Sequence, residues 1–385
     1  MRALNVTVCG GGRTGHLDAA LFARRDGVRV TWLTGNAALA AGAAGERTDG
    51  QGIAIHWPDG SIAFGRPDRI TTDPAAAVGE ADVVVITVPA QARPDLVARI
   101  APHLPRDKPV FLGAIPGFCG FDWLAGGLVA DRPNVVVWGM KDVPHTAFDC
   151  VAGTAIRVGG AKERLHVATR GTPSPALRDA LHRHLERLFA IPVDMLADYL
   201  EITLTPGNPI MHASVIYGLI GPYGQWHRRP LPEGLCWWSD CPELGAYFLE
   251  RTDEENQRIK AALEARLGID LGSVKPLKTE IVEAYGDQIA DAATMLSVLR
   301  TNRAYAGIPA PVAHDPALGG ATIDPASRAF REDVAFGLTL LVEMGRRLDL
   351  ATPHMSEILD WSVARMGGLG RSALDYVPAN WPEVA

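Results

Sequence analysis

The sequence predicts an α/β protein in two parts, a doubly wound and largely parallel sheet over residues 1–196 followed by an all-helical domain over residues 197–385. Three observations carry this expectation. A glycine-rich turn, Gly10 to Gly15, lies between a β-branched run and an Ala/Leu-rich helical stretch. Short, near-continuous apolar runs follow as far as Val158, and from about residue 197 they give way to long helical periods. A chain of 385 residues also exceeds what one hydrophobic core usually organises, so two domains are expected.

Taken in order, Leu4 to Cys9 reads as a first strand, the stretch after Gly15 as a helix ending near Arg25, and Val28 to Leu33 as a second strand. Together they form a βαβ unit. Asp82 to Ala90 and Val110 to Ala114 are apolar nearly throughout, as strands of a parallel sheet buried on both faces should be. Val135 to Trp138 and Thr154 to Val158 are expected to extend the same sheet before a helix over 175–190. In the second part, apolar positions recur at helical spacing over 210–220, 254–267, 276–300, 329–349 and 354–366. Gly307 to Pro311 and Asp315 to Gly320 read as loops, and no internal repeat or low-complexity tract interrupts the pattern.

Composition narrows the function classes. With 47% hydrophobic and 21% charged residues the chain is an ordinary globular protein. Its net charge of -7, with no Lys/Arg block, provides no basic field for nucleic acid. No apolar run reaches the roughly 18 residues that span a bilayer, and Met1 to Gly12 is too short for a secretory apolar region. The five cysteines, Cys9, Cys119, Cys150, Cys236 and Cys241, are odd in number and scattered, so a reducing cytoplasmic setting is expected rather than a disulfide framework. Cys236 and Cys241 lack a second ligand pair; they read as buried or partly buried thiols, and no metal is expected.

Gly10, Gly12 and Gly15 satisfy the GxGxxG spacing of a Rossmann-type dinucleotide site. The first glycine permits the tight turn, the second lets backbone approach a pyrophosphate, and the third lets helix and strand pack closely, with the helix N-terminus facing the phosphates. The second strand ends in Leu33-Thr34-Gly35-Asn36, without the acidic residue that would grip the adenosine ribose and repel a 2′-phosphate. Arg13 offers such a phosphate a cation, or is a solvated loop charge. NADP(H) is therefore slightly favoured over NAD(H).

Among the 11 histidines, His212 stands out, at the start of the first helix after the sheet domain. Flanked by Met211, Ala213 and Val215, it would by composition alone more often be a satisfied core residue. Several motifs occur together in order: the glycine loop followed by His16, Asp26 to Thr34, the Val88-Pro89-Ala90 turn, Gly207 to His212, Thr301 to Gly307, and Arg328 to Val334. In this set, which spans nearly the whole chain, the sequence resembles the opine dehydrogenase family, which includes octopine dehydrogenase and bacterial N-(carboxyalkyl)amino acid dehydrogenases.

The resemblance implies a Rossmann-type domain, an all-α opine dehydrogenase domain, and reductive condensation of an amino acid with an α-keto acid through an imine. It gives His212 the role of general acid/base, Asp333 that of orienting it, and Arg328 that of binding a substrate carboxylate. Those residue types suit the chemistry, since an imidazole held in one tautomer moves protons near neutral pH and a guanidinium matches a carboxylate fork. Asn208 is placed near the nicotinamide or the His–Asp pair, or else serves as a helix N-cap. The cofactor-binding candidates are Gly10, Gly11, Gly12, Arg13, Thr14, Gly15, Thr34, Val88 and Pro89.

Departures from the family pattern add expectations. Arg13-Thr14 stands where many relatives have Asn-Gly, which leaves the cofactor preference open. Relatives that use arginine carry an acidic residue near the position of Lys141; a cation there repels a guanidinium, so arginine is expected to be a poor substrate. The alternative is that Lys141 faces solvent and Asp142 takes the acidic role. Trp226, Trp237 and Trp238 pack a loop or wall the amino-acid pocket, the first reading being preferred, and Glu250 to Lys260 is read as the solvated face of a helix. Two rivals remain: a 2-keto acid or 2-hydroxy acid dehydrogenase without an amine co-substrate, and a non-catalytic NAD(P)-sensing protein. Association as a homodimer is left open.

Overall fold

The computed structural model describes residues 2–42, 52–205 and 207–383. It divides into two compact units, Met1–Ile202 and Thr203–Ala385.

The first unit contains twelve strands among its described residues: β1 (Leu4–Cys9), β2 (Val28–Leu33), β3 (Ile53–His56), β4 (Ile62–Gly65), β5 (Arg69–Thr71), β6 (Val83–Ile86), β7 (Val110–Ala114), β8 (Val135–Met140), β9 (His145–Val151), β10 (Ala155–Ala161), β11 (Leu165–Thr169) and β12 (Val193–Met195). Helices α1 (Arg13–Phe22), α2 (Ala37–Gly42), α3 (Pro74–Val78), α4 (Arg93–Ile100), α5 (Phe121–Leu128) and α6 (Pro175–Phe189) lie between them. Eight strands form one sheet in the order β12-β11-β8-β7-β6-β1-β2-β5. Pairing is parallel from β5 through β8, and β11 is antiparallel to β8. Every residue of β6 and β7 is buried, which accounts for their unbroken apolar sequence.

The chain leaves β1 for β2 on one side and returns to β6 on the other. The order therefore reverses at β1, and Gly10 to Gly15 follows directly from its carboxyl end, the switch point where open α/β sheets bind ligands.

One expectation is corrected. Thr154 to Val158 does not extend this sheet, because β10 belongs to a separate four-stranded sheet ordered β4-β3-β10-β9. Ile156 and Val158 are buried while Arg157 between them is exposed, the alternation of a strand covered on one face only. Helix α1 packs against both sheets, so all its residues from Gly15 to Phe22 are buried.

In the second unit, reached through α7 (Leu200–Thr203), the helices are α8 (Gly207–Ile220), α9 (Glu243–Leu267), α10 (Leu277–Tyr285), α11 (Met295–Thr301), α12 (Thr339–Arg347) and α13 (Pro353–Met366). A π-helical segment, Ala329–Leu338, runs directly into α12. The unit is helical as expected and carries one hairpin besides, β13 (Val312–Asp315) with β14 (Gly320–Ile323). The helical period expected over 276–300 is broken after Tyr285 by Gly286 at φ +47°. The chain restarts as α11 behind a Thr294/Ser297 capping box.

The reading of Glu250 to Lys260 is also corrected. Asp253 and Glu255 are buried, where Asp253 accepts the Leu277 N–H at the start of α10. Glu255 accepts the N–H groups of His354 and Met355 in the first turn of α13. Helix N-termini have unsatisfied donors, and these carboxylates meet them inside the unit.

Candidate active site

The glycine loop meets the steric demands of a dinucleotide. Gly10 has φ +144°, and a Cβ there would lie 2.3 Å from Thr87 Oγ1; at Gly15 it would lie 2.1 Å from the Gly10 carbonyl oxygen. These two glycines are required by the protein itself. Gly12 differs: it is exposed, and a Cβ there would meet nothing within 4 Å, so its bareness leaves room for a ligand. No acidic residue stands in the first turn of α1 to compete with an anion, and Arg13 and Thr14 open that turn.

Two residues to which the sequence reading gave no role hold the loop. Trp32 Nε1 donates to the Gly10 carbonyl at 2.7 Å. His16 accepts the Gly153 N–H at Nε2, 2.9 Å, which leaves Nδ1 to donate to the Gly12 carbonyl at 2.9 Å. The loop therefore suits a pyrophosphate held by backbone N–H groups.

The other cofactor candidates lie around the carboxyl ends of β2 and β6. Thr34 is buried, its hydroxyl accepting the Asn36 N–H at 3.1 Å; Asn36 accepts the Leu39 N–H. Gly11 packs so close to Thr34 that a Cβ would sit 2.9 Å from Oγ1. Val88 and Pro89 are half-buried after β6. Buried Arg93 pins that turn by donating to the carbonyls of Val88, Pro116 and Phe118, a third residue the sequence reading missed.

Lys141 belongs to this first unit, at the end of β8. It is buried, so the solvent-facing alternative is corrected. Exposed Asp142 instead meets Lys162 at 3.5 Å.

In the second unit, the crossing of α8 with the π-helical segment sets the chemistry. A Cβ at Gly337 would lie 2.3 Å from Pro209, so only glycine allows the two elements to approach so closely. Three residues beyond Pro209 and four before Gly337, His212 Nδ1 and Asp333 Oδ2 are 2.7 Å apart. Burial pushes the Asp333 carboxyl above the ordinary carboxylate range, while His212 and their shared hydrogen bond pull it back. With Nδ1 engaged, Nε2 is the nitrogen available for proton exchange.

Arg328 stands at the head of the same segment. Its Nε donates to Glu332 Oε2 at 2.6 Å, and its Nη2 contacts the same oxygen. Glu332 and Asp333 are consecutive buried carboxylates, the first engaged by Arg328 and the second by His212, and burial of such groups demands partners of this kind.

These side chains share a cavity of about 220 Å³, lined by Asn208, His212, Trp237, Arg328 and Asp333 together with Pro309, Pro311, Ser327 and Ala329. That is below the roughly 300 Å³ at which drug-sized pockets begin, a size for a small acid. The β13–β14 hairpin explains the lining. The Asp324 N–H donates to the Pro311 carbonyl, bringing the segment before the hairpin beside the one after it.

Asn208 lies within α8, so its N-capping alternative is not met. Trp237 and Trp238 are buried and Trp237 lines the cavity, so it packs and walls at once; Trp226 is half-buried. Sequence reasoning missed Glu332, although its spacing from Arg328 is that of a helical ion pair. It also missed Ser327 and the two prolines, which had read simply as loop. Among the described residues no helix is long and apolar enough to cross a membrane.

A glycine loop at a sheet switch point is the arrangement by which open α/β sheets bind dinucleotides. Residues 195–366 match the family model described as NAD/NADP octopine/nopaline dehydrogenase, alpha-helical domain. The octopine dehydrogenase of Pecten maximus is 28% identical, over 94% of this chain and 90% of its own. An uncharacterized protein of Sinorhizobium fredii, y4xO, is 55% identical over 99% of this chain and all of its own length. A solved octopine dehydrogenase in complex with NADH and L-arginine is similar at a TM-score of 0.82 and 25% identity, covering 95% of this chain and 90% of that one. Residues 195–366 thus match the helical domain of that family, and the chain as a whole is similar to octopine dehydrogenases.

Proposed function

We propose that the chain is an NAD(P)H-dependent opine dehydrogenase, condensing an amino acid with an α-keto acid and reducing the imine so formed. The observation that carries this reading is the 2.7 Å His212–Asp333 contact in a cavity shared with Arg328. Arg328, its guanidinium plane held by Glu332, receives the keto-acid carboxylate. After the amine adds to the keto carbon, His212 donates the Nε2 proton to the departing hydroxyl, and buried Asp333 balances the imidazolium. Asn208 orients the reacting group beside the pair. The reduced nicotinamide, when bound, supplies the hydride. Gly10, Gly11, Gly12, Thr14 and Gly15 hold its pyrophosphate, with Thr34, Val88 and Pro89 along the same edge of the sheet.

NADP(H) is the preferred cofactor on this reading, because β2 ends without a carboxylate and exposed Arg13 opens α1. Lys141 disfavours a guanidinium on the amino acid, so neutral or acidic amino acids are preferred to arginine. Crossing amino acids with pyruvate, glyoxylate, oxaloacetate and 2-oxoglutarate, with each reduced cofactor in turn, tests all three statements. Oxidation of NADPH that requires an amino acid, with arginine among the slowest, is the expected result. Oxidation by keto acid alone would favour a simple 2-keto acid reductase, and cofactor binding without turnover under any pairing a sensing protein. Arginine consumed fastest would overturn the role given to Lys141.

A further inference from the structure

The His212 ring is held on a second side besides its Nδ1 edge. It lies flat on the indole of Trp237, with ring centroids 4.2 Å apart and planes inclined by 13°. Trp238 stacks with Trp237 at 5.2 Å and also meets the His212 ring, farther off at 5.5 Å and inclined by 28°; Tyr305 meets Trp238 at 5.4 Å. A single hydrogen bond at Nδ1 leaves the imidazole able to tilt about its own axis; a flat indole does not.

We propose that Trp237 is a positioning residue for His212, fixing the plane of the imidazole and favouring its protonated form through the indole face. This rests on the acid/base role given to His212 above. An aromatic face attracts a cation, tryptophan most strongly and more so when both partners are desolvated. Trp237 is buried, so its face acts on the ring with little screening. Asp333 acts in the plane of the imidazole and Trp237 perpendicular to it, so the two contributions are separable.

Charged groups lie on each of the helical elements packed around α8. On the π-helical segment they are Asp333, Glu332 and exposed Arg331, with Arg328 at its head. On α9, Asp253 and Glu255 are engaged with the first turns of α10 and α13. On α13, Glu357 accepts the Tyr217 hydroxyl and His354 Nδ1 meets Glu255. Trp237 Nε1 is buried without a hydrogen-bond partner among the described residues, so phenylalanine in its place gives up no hydrogen bond to the protein.

The test compares Trp237→Leu and Trp237→Phe with the unsubstituted chain. One readout is the pH profile of kcat/KM. The other, which needs no turnover, is the NMR titration of His212 in ¹³C-histidine-labelled protein, assigned by the signal missing from His212→Gln. Loss of the nearer aromatic face in Trp237→Leu, with Trp238 left at its longer 5.5 Å, is expected to move the His212 titration midpoint, and the limb of the profile that follows it, to lower pH by roughly 0.4–1.5 units. Trp237→Phe is expected to move both in the same direction by less. If Trp237→Leu folds poorly, Trp237→Phe decides alone, and no shift or one to higher pH overturns the inference. Should His212→Gln retain full activity, the acid/base reading fails instead, while the NMR titration still judges Trp237.

Discussion

Alanine substitutions at two glycines of one loop separate ligand from scaffold. Gly15→Ala sets a methyl 2.1 Å from the Gly10 carbonyl oxygen, more than an ångström inside ordinary contact and against backbone that cannot rotate away. Overpacking of that kind costs about 3 kcal/mol, which in a unit of this size lowers the Tm by roughly 6–12 °C. Gly12→Ala meets no protein atom within 4 Å, and Gly12 sits at φ -82° and ψ -175°, where any residue is at ease. Its Tm should stay within about 2 °C of the parent, because surface changes of this kind rarely exceed about 0.5 kcal/mol. If the bare face of Gly12 is where a pyrophosphate lies, the same methyl weakens NAD(P)H binding by at least about tenfold, near 1.4 kcal/mol. Thermal unfolding and titration of tryptophan fluorescence with NADH and NADPH read the two effects separately. Gly12→Ala binding the cofactor with unchanged Kd, or unfolding as early as Gly15→Ala, would refute the reasoning.

Other consequences are equally direct. Asp333→Asn should lower kcat roughly 10²–10⁴-fold, by removing the partner that holds the His212 tautomer, while cofactor affinity measured by fluorescence stays as it was. Glu255→Ala strips the acceptor from the His354 and Met355 N–H groups at the start of α13, and should cost about 3 kcal/mol in urea unfolding. Burial pushes the Asp122 carboxyl up to about 7. The folded state thus binds a proton that the unfolded chain has already released above about pH 4, and stability falls as pH rises from about 4 to about 7. Asp122→Asn should flatten that slope and stabilise the fold at pH 8 by an amount on the order of 4 kcal/mol at most. Unfolding curves at pH 5 and pH 8 check the sign.

Legibility in the sequence followed the range of the interactions concerned. The β1–loop–α1–β2 unit could be read because its signals are local: β-branched runs, glycines at fixed spacing and an Ala/Leu-rich helix. Strand β10 was assigned to the wrong sheet, since an apolar run reports burial and not the partner that provides it; the exposed Arg157 between Ile156 and Val158 carried the correction. The Asp253 and Glu255 carboxylates read as solvated because charge on a helix is usually outside, and the helix starts they serve come 24 and about 100 residues later. His212 and Asp333 meet across 121 residues. No periodicity signals that pairing; only the order of motifs did, and the close approach that produces it depends on Pro209 and on Gly337, which lies outside every motif.

The most direct measurement is the mass of the product. Incubated with an amino acid, a keto acid and NADPH, the protein should release a compound whose mass equals the two acids together less one oxygen atom, formed in step with cofactor oxidation and absent with His212→Gln. Recovery of a 2-hydroxy acid with the amino acid untouched, or of no product at all while cofactor binds, would contradict the account.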